Sequence, residues 1–368
     1  MMLRTALVCL TLYAGSLGAQ TAPIDKKATK ETRNLYTNLQ KLAKKGTMFG
    51  HQDDLGYGVN WRAEVGRSDV KEVVGEYPAV FGWDLGRIEF DSTHEIDGIP
   101  FESQRKFVEQ VYAQGGVNTF SWHLNNPTDP TKTSWDKVDF TIRKLFSEPQ
   151  ARQRYDAWLD RVAAYFKSLK GPKGEAIPVI FRPFHEHTGS WFWWGKDHAT
   201  VAEYVQLWRY TVEYLRDKKD VHNVLYAYST DRFPTKEEYL ERYPGDAYID
   251  IVGFDIYHRP QPGQPDHFVA NTRQMVEILK EVGQEKKKVY AITETGLEKL
   301  PQPNWWTQVL APIIKNAGLS YVLVWRNGNP GHFYAPYAGQ ATAEDFKKFS
   351  QQSDVYLQKK TAAAQLYR

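Results

Sequence analysis

Eight short apolar runs, each of strand length and separated by segments of helical spacing, constrain this chain more than any other feature. The runs are "TMFGHQ" at 47–52, "PAVFGWDLG" at 78–86, "GVNTFSWHL" at 116–124 and "IPVIFRPFHE" at 177–186. They continue with "NVLYAYST" at 223–230, "IDIVGFDIY" at 249–257, "KVYAITETG" at 288–296 and "SYVLVWRNG" at 320–328. Segments such as "FESQRKFVEQVYAQGG", "RYDAWLDRVAAYFKSLKG" and "TVAEYVQLWRYTVEYLRD" lie between them with the apolar recurrence of amphipathic helices. The pattern predicts an α/β chain folded as a single (β/α)8 TIM barrel, an architecture of about 250 residues that grows with insertions. An open doubly wound sheet fits less well. "FGHQDDLGYG", after the first run, has neither the dinucleotide-binding nor the P-loop spacing.

Composition excludes several function classes. With 42% hydrophobic and 25% charged residues the chain is ordinary for a globular protein, and its net charge of +3 is spread along the sequence. There is thus no electrostatic footprint for nucleic acid or an anionic membrane, and the lysine clusters read as solvated helix ends. Residues 1–19 carry Arg4, an apolar run and small residues at Gly18 and Ala19, the layout of a cleavable secretory signal. Cys9 lies in the middle of that run, so no lipid or membrane anchor is predicted, and residues 20–368 are expected to form one domain without cysteine. The expectation is an exported bacterial protein, periplasmic or extracellular, acting as a monomer.

A barrel of this kind keeps its chemistry at the C-terminal ends of its strands. Polar residues gather there: His51, Gln52, Asp53 and Asp54 in the first strand end, Asp84 in the second and His123 in the third. His185 and Glu186 follow in the fourth, Asp255 and Tyr257 in the sixth, Glu294 in the seventh, and Trp325 and Arg326 in the eighth. Isolated strand-end polar groups are common in turns; a set drawn from seven strands at one mouth is harder to dismiss. Glu186 and Glu294 stand out because carboxylates in apolar runs are costly without compensation. Structural ion pairs with Arg182 and Arg326 would be one form of it. Two glutamates facing across one mouth are also the apparatus of retaining glycoside hydrolysis, where they stand about 5 to 5.5 Å apart.

Together, "RPFHEHTGSWFWW", "GHQDD", "SWHLNNP", "FDIY", "ITETG" and "VWRN" resemble the motifs of glycoside hydrolase family 26, the β-mannanases, over residues 47–328. The resemblance implies that Glu186 is the acid/base and Glu294 the nucleophile. It implies that Tyr257 hydrogen-bonds the nucleophile, that His123 and His185 line the subsite of the attacked sugar, and that Trp191 and Trp325 stack on sugar with Arg326 beside the latter. The partner would be a β-mannan polysaccharide or manno-oligosaccharide, and no cofactor or metal is implied.

Plainer readings compete at several points. In "SWFWWG" Trp191 is the expected ligand contact, while at least one of Phe192, Trp193 and Trp194 should only pack. "HEH" invites a metal reading, yet a zinc site needs three or four converging ligands and no second His/Cys cluster supplies them. "HQDD" reads as a hydrogen-bonded rim network. Another β-glycan (β-1,3-xylan or mixed-linkage glucan), a non-catalytic saccharide-binding barrel and a metal-dependent hydrolase remain alternatives. The long connections "RIEFDSTHEIDGIPF" and "NGNPGHFYAPYAGQ" suggest a cleft closed at one end and the release of mannobiose or short manno-oligosaccharides.

Overall fold

A computed structural model describes residues 22–368. The signal assigned to residues 1–19, with Cys9, lies outside the described residues. Each of the eight runs contains a strand: β1 (Thr47–Gln52), β2 (Val80–Asp84), β3 (Val117–Trp122), β4 (Val179–Pro183), β5 (Val224–Thr230), β6 (Ile251–His258), β7 (Val289–Leu297) and β8 (Tyr321–Val324). All neighbours pair in parallel, and β8 pairs back onto β1 through Met48↔Tyr321 to His51↔Val324, which closes the barrel. Two residues, Val355 and Tyr356, add a short parallel edge to the start of β1. Of the eight predicted runs none is lost, which bears out the (β/α)8 barrel.

Strand alternation divides the apolar side chains into two layers. Met48, Val80, Val117, Ile180, Leu225, Ile251, Val289 and Leu323 pack together in one cluster, the barrel interior. Phe49, Phe81, Phe120, Phe181, Tyr226, Val252 and Ile292, one or three positions on and so on the opposite face, belong to the larger cluster formed with the helices. The helices cover the sheet because their apolar stripes face it. Pro149–Ser168, for example, buries Tyr155, Trp158, Leu159, Val162 and Phe166. Every strand therefore ends at the same mouth, where the connections carry the polar residues.

Candidate active site

The segment after β4 is fixed by the aromatic run that follows it. Arg182 shares the inward face of β4 with Ile180, and Phe184 and Glu186, on either side of His185, adopt left-handed backbone with φ of 49° and 53°. Such conformations cost on the order of 1–3 kcal/mol each for non-glycine residues and persist only where surrounding contacts impose them. Those contacts are present. Tyr204 Oη donates to the Phe184 carbonyl at 3.0 Å, Trp194 Nε1 to the His185 carbonyl at 2.9 Å, and the Glu186 amide to the Ser229 carbonyl at 3.1 Å. Trp193 and Trp194 are fully buried and Phe192 stacks on Trp194 at 4.4 Å, so this part of the run is scaffold; Trp191 remains 36% exposed at the mouth. Its indole Nε1 donates to Glu186 Oε2 at 2.6 Å.

Glu294 reaches the mouth through a break in register. Phe254 pairs with Ile292, but Asp255 pairs with Glu294, so Thr293 is an extra residue in β7. Without this bulge Glu294 would share the outward face of Ile292; with it, Glu294 stands beside inward-facing Asp255. Thr293 Oγ1 then donates to Asp255 Oδ1 at 2.6 Å, as Ser229 Oγ does at 2.9 Å. Arg182 spans the pair, with Nη1 2.7 Å from Asp255 Oδ2 and Nη2 on Glu294 Oε1, while Tyr257 Oη donates to Glu294 Oε2 at 2.7 Å.

Charge balance in this enclosed space is uneven. Glu186, Asp255 and Glu294 are three carboxylates around one guanidinium, and no ion pair to Glu186 occurs among the described residues. Burial, then the charges of Asp255, Glu294 and Asp231, push the Glu186 carboxyl well above the usual range, against the pull of the Trp191 N–H. Burial likewise lifts Asp255 to about 7 despite Arg182, with Glu294 adding to the rise. His185 is held well below the usual imidazole range by burial and then by Arg182, His123 and His187, and is therefore neutral. At His123 burial opposes the charge, but the Asp84 carboxylate, 2.7 Å from Nδ1, outweighs it and raises the imidazole.

Glu186, Glu294, His123 and His185 line a cleft of about 740 Å³ together with Trp325 and Phe192, while Asp255 and Arg182 lie beneath it. Seven of the eight predicted site residues line this cleft: Glu186, Glu294, His123, His185, Trp191, Tyr257 and Trp325. Arg326 does not. Its guanidinium turns to Asp97 at 3.1 Å, joining the connection after β8 to that after β2, and neither glutamate pairs with it. Trp135, Asp231, Arg232, Arg259, Gln261, His332 and Tyr334 also line the cleft and were not singled out in the sequence. Trp135 is 48% exposed and stacks on the His123 ring at 5.0 Å; it sits in a connection without periodicity, where a lone Trp carries no signal. Asp231 and Arg232 were findable, because they follow the last residue of β5, the one strand end that seemed bare.

"HQDD" is a buried rim network, with His51 Nδ1 on Asp54 at 2.7 Å and Tyr57 Oη donating to Asp53 at 2.8 Å. His187 of "HEH" packs between Tyr204 and Tyr228, away from the cleft residues. His185, Asp255 and Glu294 do bring one ligand atom each within 4.8 Å of one another. Both carboxylates already receive Arg182 and hydroxyl donors, so a cation there would have to displace a guanidinium.

Comparison with known proteins places this geometry among relatives. The family model described as glycosyl hydrolase family 26 matches residues 24–307. A mannan endo-1,4-β-mannosidase of Bifidobacterium adolescentis is 32% identical over 89% of the chain, which spans about a third (34%) of that protein's length. One from Bacillus subtilis is 26% identical, with 80% of this chain and 81% of that protein aligned. Among solved structures, the family 26 β-mannanase BoMan26A of Bacteroides ovatus superposes with a TM-score of 0.85 at 45% identity, covering 89% of this chain and 95% of that one. A modular endo-β-1,4-mannanase of Cellulomonas fimi superposes at 0.82 with 32% identity, covering 92% and 78%.

Proposed function

The chain belongs to glycosyl hydrolase family 26, and from that membership we propose that it is a retaining endo-1,4-β-mannosidase acting on mannan, glucomannan or galactomannan. Glu294 attacks the anomeric carbon. Glu186 first protonates the departing glycosidic oxygen and then, as a base, takes a proton from the water that releases the sugar. The distribution of charge is the observation that carries these roles. Arg182 balances one negative charge of the Asp255–Glu294 pair, whereas Glu186 lies beside them without a cation and keeps its proton. Once Glu294 is esterified its negative charge is gone, the Glu186 carboxyl becomes more acidic, and the same group serves as base.

His123 and neutral His185 border the attacked sugar, Tyr257 orients Glu294, and Trp191 and Trp325 offer faces to the flat C–H patches of sugar rings. Arg326 acts at one remove, by tethering Asp97. The connection after β8 lends His332 and Tyr334 to the cleft wall, and the Arg326–Asp97 link ties it to the connection after β2. That arrangement favours a cleft narrowed at one end and short early products such as mannobiose. With residues 1–19 acting as a secretory signal, the enzyme works outside the cytoplasm on imported or external oligosaccharides.

The test is proton NMR during the first minutes of mannotetraose hydrolysis, alongside product profiles on linear mannan, glucomannan and β-1,3-xylan. Initial β-anomer and cleavage of the mannans support the assignment. Initial α-anomer rejects the covalent route, and preference for xylan rejects the substrate.

A further inference from the structure

Two of the aromatic side chains lining the cleft, Trp135 and Trp191, are partly exposed and come from different connections, after β3 and after β4. Neither sits in a helix or strand, so backbone ladders do not set the distance between them. Two ties do, and they bracket both residues. On one side the Trp193 amide donates to the Ser134 carbonyl at 3.1 Å. On the other, His198 reaches both connections at once: Nδ1 meets Asp139 Oδ1 at 2.7 Å and Nε2 meets the Ser190 carbonyl at 3.2 Å. A carboxylate and a carbonyl only accept, so both ring nitrogens donate when the tie is complete.

The sequence holds His198 on a fixed base. "HATVAE" sets Thr200 three residues before Glu203, the capping-box spacing, and both reciprocal bonds are made at the start of the helix Val201–Glu213. His198 lies two residues before that cap; its side chain is largely buried, and its amide donates to the Gly195 carbonyl at 3.0 Å. A rigid imidazole can therefore dictate where the two connections sit.

What the tie controls is the seat of Trp191. A Cβ on Gly189 would stand 2.2 Å from the indole, so the ring rests where only glycine leaves room. Between them Ser190 is pinned twice, by its carbonyl to His198 and by Oγ, which donates to Asp197 Oδ2 at 2.5 Å. In this seat the indole Nε1 lies 2.6 Å from Glu186 Oε2, and a hydrogen bond of that kind weakens steeply once its donor is displaced or misaligned. Resting on the β-mannanase reading above, we propose that His198 is a positioning residue for the acid step: by joining Asp139 to the Ser190 carbonyl it holds Trp191 against Glu186 and sets the spacing of Trp191 and Trp135 across the mouth.

The experiment compares His198→Ala, which removes both bonds, with Asp139→Ala, which removes the anchor alone, and His198→Gln, whose amide can still donate to the Ser190 carbonyl. Neither position lines the cleft. His198→Ala should lower kcat/KM on mannotetraose about fivefold, within the range of one lost hydrogen bond. A displaced indole restrains Glu186 less, so the alkaline limb of the pH profile should move upward by about half a unit. A dinitrophenyl β-mannobioside, whose leaving group needs little protonation, should be turned over within about twofold of the parent. Asp139→Ala should move the limb in the same direction, and His198→Gln should return it to the parent's position; Asp139 is exposed, so its variant carries the comparison even where His198→Ala does not fold. A limb that stays in place in the alanine variants, or equal losses on the two substrates, would overturn the positioning role while leaving the enzyme assignment intact. A parent enzyme inert on both substrates would instead reject the function on which the proposal rests.

Discussion

Replacing Trp191 with Phe keeps an aromatic ring beside the cleft and removes one donor, the indole N–H that lies 2.6 Å from Glu186 Oε2. That donor favours the ionised carboxylate over the protonated acid, because a hydrogen bond to a charged group is worth about 1.5–3 kcal/mol and one to a neutral group about 0.5–1.5 kcal/mol. The difference, about 1–1.5 kcal/mol, corresponds to about one pH unit. Glu186 is already raised by burial and by its carboxylate neighbours, and the Trp191 N–H is the group that restrains it. The acid is competent while protonated, so activity is present below its pKa and lost as pH rises through it. Removing the restraint raises that pKa, and the alkaline limb of kcat/KM on mannotetraose should move upward by about one unit. The plateau should fall as well, since Phe is a smaller sugar platform. A limb that stays in place, or moves to lower pH, would falsify the claim that Glu186 is the titrating acid restrained by Trp191.

Glu186→Ala should cost about 10²–10⁴-fold on mannan and far less on a dinitrophenyl β-mannobioside, whose leaving group needs little protonation; equal losses on both would remove Glu186 from the acid role. Glu294→Ala should abolish turnover on every substrate, and near-normal mannan hydrolysis would show the nucleophile to be elsewhere. Arg182→Met leaves Asp255 and Glu294 buried side by side without a cation, a loss of about 3–5 kcal/mol in urea unfolding at pH 7. Because Arg182 holds Asp255 down, its removal raises that carboxyl further. Protonation then relieves the variant as pH falls through the window above about 7, so its deficit should be smaller at pH 7 than at pH 9; a deficit that grows on acidification would contradict the charge balance described above.

The eight strands were legible because each is a local apolar run, and a short run bounded by turn residues needs no distant partner to be read. Glu186 and Glu294 were legible for a related reason, as carboxylates in apolar strand-end runs are costly wherever the chain goes. The bare end of β5 was a reading confined to the run itself; Asp231 and Arg232 begin one residue later. Trp135 carried no signal, since its exposure and its stack on His123 depend on how a long connection settles over the mouth. Arg326 was as good a partner for a glutamate in sequence as Arg182, and its link to Asp97 is set by where two loops meet.

Sequence alone therefore determined the barrel, the mouth at which its polar residues gather and the two glutamates placed there, all properties of local pattern and residue type. Tertiary structure decided how Glu294 enters the site. By alternation it belongs with Ile292 on the face toward the helices, and only the register of β7 against β6, with Thr293 as the extra residue, sets it beside Asp255 and within reach of Arg182 and Tyr257. A bulge is a property of two paired strands, fixed by how their hydrogen bonds and side chains fit together. No period within β7 encodes it, because the residues that define it lie in its neighbour.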